Sequence, residues 1–384
     1  MDDFLQKCAD KLVRAGLTEQ GSALIGLRGD ATLWNRSDKF CKVLGSAMAG
    51  IRQNAVIYAE PAEPYRTIIS FLANTSGGVI EPGDSETRMF LHDLPVLPKL
   101  DSHGVAAAAQ RRPGVIIADG GVIAYGEVGP EQAFMIYSSV CFACFVKFFS
   151  DTLYHVRHDS MDDRRRNVLR DVLDRIDAPP AFSGTLRSGP FIGEDQILPA
   201  MEEAGSLMVD TRLVDSNFGN ISYFADPLLY ISRKGGALDE LHGQIIPVLL
   251  DGFSTPPVTA STEMPAHREI VLTTDRRAVL HGHPKFAVIL SLDCEKEDCK
   301  GRDACHLRCP QERFIGGIPI VAGEPGSGPF GLCHTVPPAL LAHSGVIVYG
   351  HGLFTAGRND FNEAFEQLVA IENTCRHEYL RRVG

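Results

Sequence analysis

Short, almost wholly apolar runs recur along this chain, separated by longer amphipathic or polar stretches. Ala55-Val56-Ile57-Tyr58-Ala59, Gly114-Val115-Ile116-Ile117, Ala278-Val279-Leu280 and Gly345-Val346-Ile347-Val348 read as buried strands bounded by Gly, Pro or polar residues. Asp162 to Arg175, Glu194 to Val209 and Pro265 to Thr273 read as helices. The most apolar stretch, Ala133 to Phe149, carries Lys147 near its end and is short for a bilayer span, so it predicts a buried helix. Strands alternating with helices in both halves favour the α/β class.

The runs repeat in order. Gly114-Val115-Ile116-Ile117 matches Gly345-Val346-Ile347-Val348, and at the same offset Gly121 meets Gly352, Gly126 meets Gly357, Ala133-Phe134 meets Ala364-Phe365 and Cys144 meets Cys375. Each copy reads as an apolar strand, a Gly-containing loop and a long helix. Earlier in each copy, Ala55 to Pro61 aligns with Ala278 to Pro284. This pattern predicts a duplicated domain rather than a short-period solenoid. The expected boundaries are a first domain over 1–178, a linker over 179–193 within the Pro- and Gly-containing stretch after the charged helix, and a second domain over 194–384.

Composition narrows the function classes. The 384 residues are 44% hydrophobic and 22% charged, which suits packed cores. A formal net charge of -11 and the lack of a long basic run disfavour nucleic acid and anionic membrane as partners. Met1-Asp2-Asp3-Phe4 lacks the order of a signal peptide. The expectation is therefore a cytoplasmic protein whose ten cysteines are mostly reduced thiols or metal ligands.

The candidate chemistry begins where the strand Ala278-Val279-Leu280 runs into His281-Gly282-His283. Residues two apart on a strand share a face, so the two imidazoles can hold one metal ion. A catalytic zinc-type site takes three protein ligands and keeps one position open. His351, between glycines directly after the strand Gly345 to Val348, is the candidate third ligand. Glu263 in Ser261-Thr262-Glu263 offers a carboxylate as ligand or proton acceptor. Phe218-Gly219-Asn220-Ile221-Ser222 is a small polar loop before a strand, and Leu229 to Gly235 ends another strand in a basic turn suited to an anionic group.

Taken in order, Gly219-Asn220-Ile221-Ser222, the Gly235 turn, Ser261-Thr262-Glu263, His281-x-His283 and His351-Gly352 resemble the class II aldolase/adducin family, whose familiar enzyme is fuculose-phosphate aldolase. The resemblance runs from about Ala200 to Leu380. It implies two related three-layer α/β/α domains, each a central β-sheet flanked by helices. His281, His283 and His351 would hold a divalent metal, most often Zn2+. Glu263 would be the acid/base residue. Gly219, Asn220, Lys234, Gly235, Ser261 and Thr262 would line the substrate pocket, usually a phosphate site. The family's enzymes act on small molecules and are usually homo-oligomers. Two departures concern the anion pocket: Asn217 stands where a small hydroxyl residue is common, and Ser232-Arg233-Lys234-Gly235 replaces a Thr-Pro-Thr/Ser-Gly turn and makes it more cationic.

In the first copy Tyr58, Glu60 and Gly120 stand where His281, His283 and His351 stand in the second, and the Glu263 position falls near Phe40. That copy is expected to keep the fold without the site. A separate feature is Cys294, Cys299, Cys305 and Cys309, four cysteines with four, five and three residues between them in a polar segment. They predict a staple, either a zinc ion or an iron–sulfur cluster, with disulfides disfavoured by a reducing compartment. The expected function is a metal-dependent lyase working through an enediolate. Epimerisation, dehydration or decarboxylation on the same fold, a non-catalytic adducin-like binding protein, and a redox-responsive enzyme are the alternatives.

Overall fold

The structure is a computed structural model and describes residues 2–215, 217–252, 257–296 and 298–384. It divides into two compact units, Met1–Ala178 and Pro179–Gly384. The first holds strands β1 (Leu24–Leu27), β2 (Leu33–Trp34), β3 (Ala55–Ala59), β4 (Val79–Ile80), β5 (Leu94–Leu97), β6 (Gly114–Ile117) and β7 (Val122–Gly126). The second holds β8 (Asn220–Ala225), β9 (Leu228–Ser232), β10 (Ile245–Leu249), β11 (Ala278–Gly282), β12 (Arg313–Ile315), β13 (Ile318–Val321), β14 (Gly345–Val348) and β15 (Gly352–Gly357).

The two sheets have one topology. Their orders are β2-β1-β3-β7-β6-β5-β4 and β10-β9-β8-β11-β15-β14-β13-β12, which correspond strand for strand once the edge strand β10 is set aside. Each sheet is mixed, and the parallel pair sits at the same place in both, β5 with β6 and β13 with β14. The other described pairs are antiparallel.

Both faces of the central strands are covered, which is why those strands read as unbroken apolar runs. In the first unit Val56, Val115, Ile117, Ile123 and Tyr125 pack with Leu44, Met48, Val105 and Ala109 of helices Cys41–Ala49 and Ser102–Ala109. Alternate residues face the helix Pro130–Arg157; a Cβ on Gly114 would stand 2.7 Å from Val140. In the second unit Val279, Val346, Val348 and Phe354 pack with Met264, Ile270, Val336 and Leu340 from helices Met264–Thr273 and Val336–Ala342. Helix Phe361–Val383 lies against β11 and β15 from the other side.

Three details depart from the sequence reading. The Gly-containing loop after each apolar strand is the turn of a hairpin and is followed by a further strand, β7 or β15. Gly120 at φ +108° and Gly350 at φ +60° make those turns, and so tight a reversal hides a strand inside what reads as loop. The apolar helix is longer than its apolar centre, running 28 residues from Pro130 to Arg157. It is long and apolar enough to cross a membrane, yet 83% of its most apolar window is buried within the unit, so it is the unit's core helix. Residues 179–193 form neither helix nor strand, and they are docked rather than free. Leu186 N–H donates to Asn362 Oδ1 at 2.7 Å, Gly189 N–H to Asp360 Oδ2 at 2.9 Å and Phe191 N–H to the Tyr223 hydroxyl at 2.8 Å.

The short helix Lys285–Leu292 braces both histidine-bearing loops of the second unit. Just after His283, the Glu372 carboxylate accepts from the N–H groups of Phe286 and Ala287, both at 2.9 Å. At the other end Ser291 Oγ accepts from Gly350 N–H at 2.8 Å, one residue before His351. Burial pushes the Glu372 carboxyl up from 4.5 to about 7, against the lowering effect of those two donors. A raised carboxyl holds its proton in the folded state where the unfolded chain has lost it. Its contribution to stability therefore falls as pH rises from 4.5 to about 7. Glu372→Gln should flatten the stability profile over that window, read as the melting temperature of wild type and variant at stepped pH. A difference between them that does not change with pH would contradict the assignment.

Candidate metal centre and its buried carboxylate

β11 sits between β8 and β15, and its register sets the site. His281 lies opposite Asn220 on β8 and Phe354 on β15. It shares the face of Val279, which turns toward the helix Met264–Thr273. Glu263 is the N-cap residue of that helix, and the chain therefore delivers its carboxylate to the end of β11. His283 follows one residue beyond the strand, its N–H donating to Leu213 O at 2.9 Å. His351 ends the turn between β14 and β15, its N–H donating to Val348 O at 3.1 Å.

The three rings form a near-equilateral triangle, with centroids 4.9, 5.1 and 5.2 Å apart. One ligand nitrogen from each lies within 4.8 Å of the others, and all three residues are buried. His281 and His283 present Nε2 to one another at 3.1 Å. That is near the ~3.3 Å edge of a tetrahedron with metal–nitrogen bonds of about 2.0 Å. On the far side of its ring, His281 Nδ1 donates to Leu353 O at 3.2 Å, which leaves the Nε2 lone pair facing the cluster. Burial drives the His281 imidazole down to about 4 and His283 well below its ordinary value, so both are neutral near pH 7, the form that ligates metal.

Glu263 faces the same point. Its Oε2 lies 3.2 Å from His281 Nε2 and its Oε1 3.2 Å from His351 Nε2. Burial opposes its charge, but the imidazoles of His281 and His351 and the hydrogen bond from Asn220 prevail, and the carboxyl is held well below the usual range. Oε1 is buried without a well-directed hydrogen bond. A buried anionic oxygen aimed at three convergent imidazole nitrogens fits a divalent cation by geometry and by donor chemistry.

A relay behind the carboxylate was not anticipated from sequence. Ser222 Oγ donates to His267 Nδ1 at 2.7 Å, His267 Nε2 donates to Asn220 Oδ1 at 2.5 Å, and Asn220 Nδ2 donates to Glu263 Oε2 at 2.6 Å. Each link fixes the next: the hydroxyl sets the His267 tautomer, and the imidazole orients the amide with its NH2 toward Glu263. Burial lowers the His267 imidazole to about 3, keeping it neutral. The signal was present as spacing. Asn220 and Ser222 are two apart on a strand, and Glu263 and His267 are four apart at the start of a helix.

The predicted substrate residues lie on three joined loops. Asn217 Nδ2 donates to Gly235 O at 3.1 Å, tying the Gly219 loop to the basic turn. Lys234 N–H donates to Thr259 O at 2.9 Å and Ser261 N–H to Ser232 O at 3.2 Å, tying that turn to the loop before Glu263. Ser261 is buried, whereas Thr262, Arg233, Lys234 and Gly235 are exposed. Gly219, at φ +83°, is confined to glycine because a Cβ would lie 2.4 Å from His281 O. The four cysteines lie together in one loop. Among the described residues, however, the three histidines draw their ligand atoms to one point and the cysteines do not.

In the first unit, Tyr58 fills the place of the histidines. A Cβ on Gly121 would meet its ring at 2.6 Å, as one on Gly352 would meet His281 at 2.7 Å. Phe40 precedes the helix Cys41–Ala49 as Glu263 precedes Met264–Thr273, and it packs edge-on against Tyr58 at 5.0 Å. Glu60 turns outward to Arg66 at 3.3 Å. An apolar pair thus stands where the second unit holds a carboxylate and an imidazole.

Because the Gly352 Cβ position also lies 2.8 Å from His283, Gly352→Ala should displace both rings. Metal affinity should fall about 10- to 100-fold, as on loss of a ligand-orienting partner, read by chelator competition.

Residues 200–379 match the model of the Class II Aldolase and Adducin N-terminal domain. No curated protein matches the chain. Among solved structures, L-fuculose-1-phosphate aldolase from Thermus thermophilus is 22% identical, with 50% of this chain and 97% of that one covered at a TM-score of 0.40. YgbL from Klebsiella pneumoniae, whose description offers aldolase, epimerase or decarboxylase, is 19% identical over 50% of this chain and 91% of its own, also at 0.40. Identities of this size say nothing about substrate. The matched residues span most of the second unit, and that unit is a domain of the class II aldolase and adducin family.

Proposed function

We propose that the second unit is a metal-dependent lyase of the class II aldolase type, acting on a small, anionic, sugar-phosphate-like carbonyl compound. The observation that carries this reading is the set of three buried imidazoles converging on one point that an ionised buried carboxylate also faces. His281, His283 and His351 would hold the ion, Zn2+ foremost given three neutral nitrogen donors. Held there, the ion would supply Lewis acidity toward the carbonyl oxygen of the substrate.

Glu263 takes the proton that leaves as the carbon–carbon bond breaks and returns it in the synthetic direction. Asn220 holds that carboxylate through the Ser222–His267 relay, so the base is aimed before substrate arrives. The exposed Arg233 and Lys234 side chains and the exposed Thr262 hydroxyl offer cations and a hydrogen-bond donor to the anionic end of the substrate. Epimerisation, dehydration and decarboxylation on this fold share the same enediolate logic, so the choice among these reactions lies with substrate shape. The pairing of a basic turn with a deep carboxylate favours a phosphate-bearing substrate, and family precedent favours a homo-oligomer.

Glu263→Gln should keep the metal and lose about 10²- to 10⁴-fold in kcat, the usual worth of a general base, measured as retro-aldol cleavage across a panel of sugar phosphates. His281→Ala/His283→Ala should lose both metal and cleavage. If that double variant retains the metal content of the wild type and Glu263→Gln turns over normally, the lyase reading fails and a non-catalytic, adducin-like role takes its place.

A further inference from the structure

The cysteine-bearing loop between helix Lys285–Leu292 and β12 has no part in the aldolase reading, and its interior is unusual. Glu295, Lys296, Asp298, Lys300, Arg302, His306 and Arg308 are exposed, whereas Cys294, Cys299 and Cys309 are half-buried and Cys305 is buried. Among the described residues of the loop, the inward positions besides the sulfurs are Gly301, Ala304 and Leu307. A segment of this length cannot offset the entropy of ordering with so little aliphatic surface. All ten cysteines are free thiols, so no disulfide closes it.

Two of the sulfurs nevertheless flank the Gly301 turn from opposite ends of it in sequence. Cys305 Sγ lies 3.6 Å from Gly301 O, and a Cβ on Gly301 would stand 3.9 Å from Cys299 Sγ. Burial raises the Cys305 thiol, and Cys309, Cys299 and Cys294 raise it further, while Arg313 lowers it. Backbone bonds already bend the loop inward, from Arg302 N–H to Cys299 O at 3.2 Å and from Ala304 N–H to Gly301 O at 2.9 Å. A cavity of about 480 Å³ opens beside Cys309 and is lined in part by Arg308, Arg313 and His334, which gives a path from solvent.

We propose that Cys294, Cys299, Cys305 and Cys309 bind one thiophilic metal centre, a tetrathiolate zinc ion or an iron–sulfur cluster, distinct from the histidine site. Binding a divalent ion replaces four S–H bonds by four S–metal bonds, releases four protons to water and changes no oxidation state. A cluster delivered preformed exchanges its carrier ligands for the same four thiolates. The centre draws together sulfurs that are near one another but not yet convergent, and so supplies the core that the loop lacks.

The centre also braces the histidine site from behind. The loop departs from the helix whose Ser291 accepts from Gly350 N–H, and it returns to the β12–β13 hairpin, where Val321 O accepts from Tyr349 N–H at 2.9 Å. Tyr349, hydrogen-bonded to Cys305, directly precedes Gly350-His351. Ordering the loop therefore fixes the seat of His351.

The test is elemental analysis and visible absorption of anaerobically purified full-length protein: wild type, Cys299→Ser/Cys305→Ser and His281→Ala/His283→Ala. The cysteine variant should lose one centre, and the histidine variant should retain it. Iron with sulfide and broad visible absorption identifies the cluster, and a colourless zinc protein identifies the ion; either supports the proposal. Because the serine variant can fail to fold, Co2+ is also exchanged into the histidine variant and, for zinc, should give sulfur-to-cobalt charge-transfer bands. The proposal is overturned if wild-type protein carries no metal beyond what the histidine variant loses. It is equally overturned if alkylation under non-reducing conditions finds the four cysteines paired as disulfides. Because the two pairs of substitutions are separate, loss of this centre and failure of the lyase reading are distinguishable.

Discussion

Burying a carboxylate is the constraint around which the second unit is organised. Glu263 is 3% exposed, and an ionised group so placed is tolerated only where charge-compensating and hydrogen-bonding partners surround it. Asn220 supplies a hydrogen bond and His281 and His351 polar contacts, each from a different part of the sheet, and a bound cation would complete the compensation. Further buried polar groups, His267 and Ser222, are recruited to hold Asn220 in one orientation. The chemical potential of the site and the specificity of the local fold thus have one origin. A partly satisfied network of this kind would cost more than an apolar core, so its members stand or fall together.

The first unit shows the other solution to the same geometric problem. It keeps the strand order, the parallel pair in the same place and the Gly-turned hairpin. At the centre of its sheet it replaces carboxylate and imidazole with Phe40 against Tyr58. The exchange removes every buried charge at that point and leaves a packed aromatic pair, which needs no cation and no relay. One backbone design therefore supports a polar centre in one copy and an apolar plug in the other.

Support for the histidine cluster comes from a second layer that does no chemistry. Glu372 caps the helix after His283, Ser291 at its far end holds the turn before His351, and Gly352 leaves room for two imidazole rings. The cysteine loop leaves from that same helix. Its position makes the order of the loop and the seat of the third histidine one mechanical question.

The α/β class, the duplication, the His281–His283 pair and the contrast with Tyr58 and Glu60 were legible in the residues. Each is a local property: strand periodicity puts residues two apart on one face, and a repeat survives as aligned apolar runs and glycines. The strands β7 and β15 were not legible, because a reversal of a few residues at Gly120 or Gly350 reads as loop. Nor was the role of His267, since nothing local shows that a helical imidazole and an asparagine 47 residues earlier meet at 2.5 Å. Residue types and spacings alone determined which groups could do chemistry. Only the sheet order, which sets β11 between β8 and β15 and brings the start of a helix over its end, decided that three histidines and one carboxylate share a single buried point. Such convergence is a matter of contacts between residues far apart in the chain, and hydrophobic burial and strand pairing select those contacts only in the folded state.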